Sequence, residues 1–330
     1  MMPQSTTYLA DIGYEYTDND YNPDAEDPVD RWLQTKYSTN SLTTACVIWD
    51  IFGAVPDVIV DPFCGAGSAG LAARRLGASF YGVELDPILA AVTLAKTTLS
   101  AADIARAEAL LPEWITVDWL LKNPIPSRVL ALALIGVSGV RPQGRHREDL
   151  LAMLRSDLGR EHLPAISSTV RCGDSRRDGT WAEAPRGEGT VIFTSPPFGP
   201  VAAKPWDKSA GDPKMRSLRR LVAKRVFGAG DRYSPELVRT SKRWATAAIL
   251  RSALAACQRA CGDFTAIIEF QDQCQWQSQV ERSSLAGTVG ALDRMPGVEV
   301  RGIIDTGNFT GTTLYHIVAK ARAAQATVDA

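Results

Sequence analysis

Val58-Ile59-Val60-Asp61-Pro62-Phe63-Cys64-Gly65-Ala66-Gly67-Ser68-Ala69-Gly70 is an apolar strand that runs into a glycine-rich turn. Leu71-Ala72-Ala73-Arg74-Arg75-Leu76 then continues it as a helix. Glycines let the backbone turn tightly and approach a ligand, and the helix that follows offers free N–H groups at its first turn. A second strand, Ser79-Phe80-Tyr81-Gly82-Val83, ends in Glu84-Leu85-Asp86-Pro87. An acidic residue at that strand tip is placed to accept the two hydroxyls of a ribose.

Further along, Ser167–Cys172, Val191–Thr194, Phe264–Phe270, Val298–Ile304 and Thr312–Lys320 read as five more strands, with helical stretches between many of them. Strands alternating with helices predict an α/β fold, a doubly wound and mostly parallel seven-stranded sheet. In such a sheet ligands sit at the carboxyl ends of the strands. Asp61, Glu84, Asp174 and Ser195 all fall there. The fourth strand ends in Thr194-Ser195-Pro196-Pro197-Phe198-Gly199. Each proline fixes its own φ and lacks an N–H, and each restricts the residue before it to extended conformations. The product is a stiff set of acceptors beside a flat ring, suited to a planar group carrying an exocyclic amine.

Gly65-x-Gly67-x-x-Gly70 with Glu84 also fits a dinucleotide fingerprint. That reading needs a diphosphate over the glycines, whereas Asp61 puts a carboxylate there, which suits a ligand bearing an ammonium group. Together, Asp-Pro-Phe-Cys-Gly-Ala-Gly and Thr-Ser-Pro-Pro-Phe resemble the class I S-adenosylmethionine-dependent methyltransferases, and more narrowly those that modify exocyclic amines of nucleic-acid bases. The resemblance implies a Rossmann-like sheet closed by an antiparallel strand pair, with S-adenosyl-L-methionine as cofactor. Its cofactor-binding residues would be Asp61, Phe63, Gly65, Gly67, Glu84 and Thr194, with Asp174 on the adenine amine and Tyr37 and Thr39 near the methionine carboxylate. Ser195, Pro196, Pro197 and Phe198 would form the catalytic pocket, the Ser195 hydroxyl and Pro196 carbonyl accepting from the amine and Phe198 stacking on the base. In this family Ser at the first position accompanies cytosine-N4 enzymes more often, which favours cytosine N4 in DNA. Adenine-N6 and RNA guanine-N2 enzymes, and a non-catalytic nucleic-acid-binding protein, remain as alternatives. A carbon-5 cytosine enzyme would use a Pro-Cys thiolate, and no Pro-Cys dipeptide occurs. A duplex substrate would have to be flipped out of the stack. The family also brings a possible partner, a cognate restriction endonuclease.

The net charge of −1 conceals a partition. Residues 1–30 carry eight acids and no Lys or Arg, a composition that predicts a loose segment. Residues 200–251 carry thirteen bases against four acids, interleaved with Trp206, Phe227, Tyr233 and Trp244. A basic, aromatic block directly after the Ser-Pro-Pro-Phe stretch suits a phosphate backbone and splayed bases, and the sequence shows no obvious appended RNA-binding domain, which favours DNA over RNA. A solvated helical face explains such a charge run as well.

The expected organisation is therefore an acidic segment at 1–30 and one domain at 31–320 that contains a helical insertion at 88–165 and the basic segment at 200–251. A tail at 321–330 ends the chain. Within the insertion, helices are expected over 87–99, 101–111 and 148–158. The stretch from Val117 through Pro124 and Pro126 reads as irregular. Six scattered cysteines and three histidines form no metal-ligand pattern and suit free thiols in a reducing cytoplasm. The longest apolar run, Val129–Val140, is too short to cross a bilayer, so a soluble protein away from membranes is expected.

Overall fold

A computed structural model of the chain describes residues 41–137, 144–161, 165–187, 189–196, 212–228, 246–272, 285–309 and 312–323. Helix α1 (Ser41–Phe52) leads into β1 (Val58–Asp61), α2 (Ser68–Leu76), β2 (Ser79–Glu84) and α3 (Pro87–Thr98). Next come α4 (Ala101–Leu110), the short β3 (Trp114–Ile115), α5 (Val117–Lys122), α6 (Ser127–Val137), the short β4 (Arg145–His146) and α7 (Arg147–Glu161). The chain then forms β5 (Ser168–Cys172), a 3₁₀ turn (Asp178–Trp181), β6 (Thr190–Thr194), α8 (Pro213–Phe227) and α9 (Thr246–Cys261). It ends with β7 (Phe264–Asp272), α10 (Leu285–Asp293), β8 (Val298–Phe309) and β9 (Thr312–Ala321).

Seven strands form one sheet in the order β5-β2-β1-β6-β7-β9-β8, and β3 pairs with β4 in a separate ribbon. Within the seven-stranded sheet β9 runs antiparallel to both β7 and β8, while the other pairings are parallel. This is the doubly wound sheet expected from the alternation of elements, including its closing antiparallel pair. The winding reverses between β1 and β6, and a crevice for a ligand opens at the carboxyl ends beside such a reversal.

Alternation along each strand feeds two cores. Val58, Val60, Tyr81 and Ile192 pack with Leu250, Leu254 and Cys257 of α9 on one face. Ile59, Phe80, Val191 and Phe193 pack with Ala45 and Ile48 of α1 and Ala69, Ala72 and Ala73 of α2 on the other. Small residues on α2 let that helix lie close to the sheet. At Gly70 an added Cβ would come within 2.6 Å of Thr97 Cγ2 and 3.2 Å of the Phe80 ring.

Helices occupy the stretches expected at 87–99, 101–111 and 148–158, and 123–126 is irregular as read, but Val117–Lys122 forms α5 and a further helix, α6, follows it. Thr116 caps α5 by accepting from the Trp119 N–H at 3.2 Å. Helix α6 begins just after Pro126, and its residues Val129–Val137 are all buried. A proline ahead of a first turn does not interrupt a helix. A helix wrapped on every side also shows no polar face from which to read a period. α6 packs with Leu89 and Val92 of α3, with Leu99 just after that helix, with Leu150 and Leu154 of α7, and with Leu218 and Val222 of α8. Burying each of these leucines stabilises the packing by about 1.5–3 kcal/mol. The basic helix α8 is thereby fixed beside α3, which starts at the tip of β2.

Candidate active site

The glycine turn is held from three sides. The Cys64 N–H donates to the Val83 carbonyl at 3.0 Å, the Gly67 N–H to the Cys64 carbonyl at 2.8 Å, and the Thr93 hydroxyl to the Gly65 carbonyl at 2.9 Å. Gly67 caps α2 with φ of 93°, a conformation that side chains disfavour. A Cβ there would also sit 2.9 Å from Thr93 Oγ1. The turn is thus closed against α3, and it lies beside two carboxylates.

Glu84 accepts the Gly65 N–H at 2.9 Å through Oε2 and the Asp86 N–H at 2.8 Å through Oε1. Asp61, 4% exposed, accepts the Thr194 hydroxyl at 2.9 Å and the Phe63 N–H at 3.0 Å, both on Oδ1. The Thr194 contact ties the tips of β1 and β6 together across the point where the winding reverses. Among the described residues neither Asp61 nor Glu84 has an ion-pair partner. Burial pushes the Asp61 carboxyl up to about 7 against its two hydrogen bonds, and the charges of Glu84 and Glu269 add to the rise. Burial likewise pushes Glu84 up to about 7, with its backbone hydrogen bonds opposing and Asp86 adding to the rise. The tips of β1 and β2 therefore favour positive charge and hydroxyl donors.

This gives a pH dependence of defined sign. The folded-state values near 7 exceed the ordinary 3.8 and 4.5. The stabilisation from protonating these groups is complete below about 4 and is lost as pH rises through about 7. Without ligand, the protein is expected to melt at progressively lower temperature between pH 5 and 8. Each group contributes at most about 1.4 kcal/mol per pH unit. Scanning calorimetry of wild type beside Glu84→Gln checks this. The glutamine variant should lose part of the slope, and identical slopes would remove Glu84 from the account.

Asp174 follows β5 at the same end of the sheet. Its Oδ1 accepts the Arg176 N–H at 3.0 Å, and the Arg176 guanidinium contacts Oδ1 at 2.8 Å and Oδ2 at 2.7 Å. Burial alone would raise its pKa, but the Arg176 hydrogen bonds and charge carry it below the ordinary value. As an acceptor for a ligand, Asp174 would share its carboxylate with Arg176. Phe63 is partly buried against the α9-side core. Tyr37, Thr39, Pro197 and Phe198 lie outside the described residues, as does most of the 200–251 segment beyond α8 and the start of α9.

At the tip of β6 the Ser195 hydroxyl donates to Glu269 Oε1 at 3.0 Å, and Pro196 is buried next to it. Glu269 lies in β7 directly opposite His316 of β9, with Oε2 and Nε2 4.0 Å apart. These two side chains are 0% and 1% exposed. Sequence reading passed over both. The signal available was a single carboxylate inside the apolar run Ala266-Ile267-Ile268-Glu269-Phe270.

Asp86 and Arg219 were also missed. Asp86 caps α3 by accepting the Ile88 N–H at 2.8 Å, and it pairs with Arg219 Nε of α8 at 2.8 Å. Of the bases on α8, Arg219 therefore points inward. Arg216, Arg220 and Lys224 are exposed and spaced four residues apart, so they form one row on the helix surface. Among the described residues none of the three has an acidic partner.

No family model matches the chain. A 125-residue stretch is 32% identical to the ribosomal protein L11 methyltransferase of Psychrobacter cryohalolentis, covering 36% of this chain and 40% of that protein. Similar solved structures include a magnesium protoporphyrin IX methyltransferase from Synechocystis with bound SAM, at 10% identity and TM-score 0.36, covering 97% of this chain and 98% of that one. Another is a putative RNA methyltransferase from Pyrococcus horikoshii, at 10% identity and TM-score 0.34, covering 98% and 100%. Among the described residues no cluster of His, Cys, Asp and Glu is arranged to hold a metal ion, and no helix is long and apolar enough to cross a membrane.

Proposed function

We propose that the chain is an S-adenosylmethionine-dependent methyltransferase acting on an exocyclic amine of a nucleic-acid base, with cytosine N4 in DNA as the favoured target. The observation that carries the first half is the pair of carboxylates, Asp61 and Glu84, flanking the glycine turn with no ion-pair partner among the described residues. A dinucleotide would bring a diphosphate to that turn and meet repulsion from Asp61, while Glu84 suits the ribose of either ligand. A ligand with an ammonium group, a ribose and no phosphate meets attraction. Glu84 has acceptor capacity left for ribose hydroxyls, and Gly65, where an added Cβ would meet only the Phe63 carbonyl at 3.8 Å, leaves room for close approach. S-adenosylmethionine supplies an electrophilic methyl group on a sulfonium. The match to part of a curated methyltransferase supports the same reaction class.

The second half rests on the tip of β6 and on α8. Cytosine N4 and adenine N6 are weak nucleophiles because their lone pair is delocalised into the ring. Acceptors that draw on the amine hydrogens let the nitrogen pyramidalise as it attacks. The Ser195 hydroxyl oxygen and the Pro196 carbonyl are assigned that role. What the chain adds beyond this is alignment of the two reactants. Arg216, Arg220 and Lys224 present a row of charge to phosphates on the adjoining surface. If all three meet duplex DNA, replacing them by Gln should lower the slope of log affinity against log salt by about 2.7. Fluorescence anisotropy across a salt series measures this, and an unchanged slope would move the DNA elsewhere. Adenine N6 in DNA and guanine N2 in RNA stay as second readings of the same pocket.

Titration calorimetry tests the cofactor. S-adenosylmethionine should bind more tightly at pH 8 than at pH 6, because ionised Asp61 and Glu84 attract it and their protonation below about 7 weakens that attraction. This slope is opposite to that of ligand-free stability. NAD binding with S-adenosylmethionine binding absent would overturn the proposal.

A further inference from the structure

Glu269 is a carboxylate in the middle of the sheet, and neither cofactor binding nor α8 gives it a task. Its side chain is wholly buried, and burying a carboxylate is costly unless specific partners hold it. One partner is the Ser195 hydroxyl at 3.0 Å, the group assigned above to the target amine. Around Glu269, among the described residues, stand Ser195 from β6, His316 from β9 and, one strand further, Asp61 of β1. Burial drives His316 down to about 4, so near neutral pH it is an uncharged neighbour.

Methyl transfer to an amine creates a proton to dispose of. The S–CH₃ bond breaks as the N–CH₃ bond forms, the sulfonium becomes a neutral thioether, and the positive charge passes to nitrogen. That nitrogen then gives up an N–H proton. A serine hydroxyl is too weak a base to keep it, but a serine that is donating to a carboxylate can pass its own proton on.

We infer that Glu269 is the positioning residue for Ser195 and the final acceptor of the proton released by the methylated amine. The hydrogen bond to Oε1 fixes the Ser195 proton away from the substrate and turns the oxygen lone pairs toward it. As the amine loses its proton to Ser195 Oγ, the serine proton moves to Glu269. Charge balances, because one cation and one carboxylate become a thioether and a carboxylic acid. His316, packed against the far oxygen, supports the carboxylate from behind without neutralising it. The inference rests on the proposed amine methylation at Ser195.

Single-turnover methyl transfer to a cytosine-containing oligonucleotide, followed across pH 6–9 with saturating S-adenosylmethionine, tests it. Wild-type transfer establishes the parent reading, and wild type that transfers no methyl group to nucleic acid overturns that reading and this inference with it. Glu269→Gln can still accept the serine hydrogen bond but takes up no proton. It is expected to keep cofactor affinity within about threefold, to lose about a hundredfold or more in rate, and to lose the fall in rate on the acidic side. Glu269→Asp should keep that acidic limb. The double variant Ser195→Ala/Glu269→Gln should be no slower than Ser195→Ala alone, since the carboxylate acts only through the serine. An active wild type with a Glu269→Gln rate within threefold overturns the inference. So does a slower variant whose pH profile is unchanged.

Discussion

Arg219→Ala is expected to destabilise the protein by about 3–5 kcal/mol, the usual cost of removing one partner from a buried ion pair. Arg219 and Asp86 meet at 2.8 Å with side chains only 3% and 10% exposed, so the variant leaves a carboxylate without its counter-charge in the interior. The melting temperature should fall by roughly 10 °C. The consequence reaches beyond stability. Asp86 caps α3 and donates its N–H to Glu84, so a displaced Asp86 loosens the carboxylate assigned to the ribose. The double variant Asp86→Asn/Arg219→Met separates charge from packing. Asn keeps the cap and Met keeps much of the arginine stem, so much of the lost stability should return. Thermal melts of the three proteins decide the matter. An Arg219→Ala protein melting within about 2 °C of wild type would show that the pair does not anchor α8 to the tip of β2.

Ser195→Ala is expected to lower the rate of methyl transfer by roughly 10²–10⁴, the range for losing a positioned acid–base group. Cofactor affinity should stay within a few-fold of wild type, because Ser195 is assigned to the substrate amine and its hydroxyl is held by Glu269. Asp61→Asn should behave in the opposite way. Asparagine still accepts from Thr194 and Phe63, so the strand tips stay joined, but the charge that attracts the cofactor is gone. Its loss should appear in S-adenosylmethionine affinity first, with the rate at saturating cofactor much less affected. Calorimetry and single-turnover rates on both variants separate the two roles. If Ser195→Ala methylates normally, the amine is activated elsewhere. If Asp61→Asn binds the cofactor unchanged, the electrostatic argument for the crevice fails.

The strand, turn and helix around Gly65 and Gly67 were legible because their determinants are local: an apolar run, glycines at tight positions and an acid at the next strand tip. The same holds for Ser195 at the end of β6. Helices α5 and α6 were not legible. Pro124 and Pro126 look like breakers until one sees that α6 begins after them, and a helix buried on every side leaves no polar stripe. Glu269 and His316 were missed for a different reason. Each lies in an apolar strand, and only the β7–β9 register makes them neighbours. The basic block was visible as composition, yet its division was not. Arg219 lies on the same buried face as Leu218 and Val222, while Arg216, Arg220 and Lys224 share the outer row, a pattern that helical spacing alone could have disclosed once the helix bounds were known.

The most direct test of the central claim is incubation of the purified protein with isotopically labelled S-adenosylmethionine and cytosine-containing duplex DNA, followed by digestion to nucleosides and mass spectrometry. The account predicts labelled N4-methylcytosine, abolished or strongly reduced by Ser195→Ala. Label at adenine N6, or in RNA at guanine N2, would keep the pocket and correct the base. No labelled nucleoside from DNA or RNA, with S-adenosylmethionine bound, would contradict the claim that this site methylates nucleic acid.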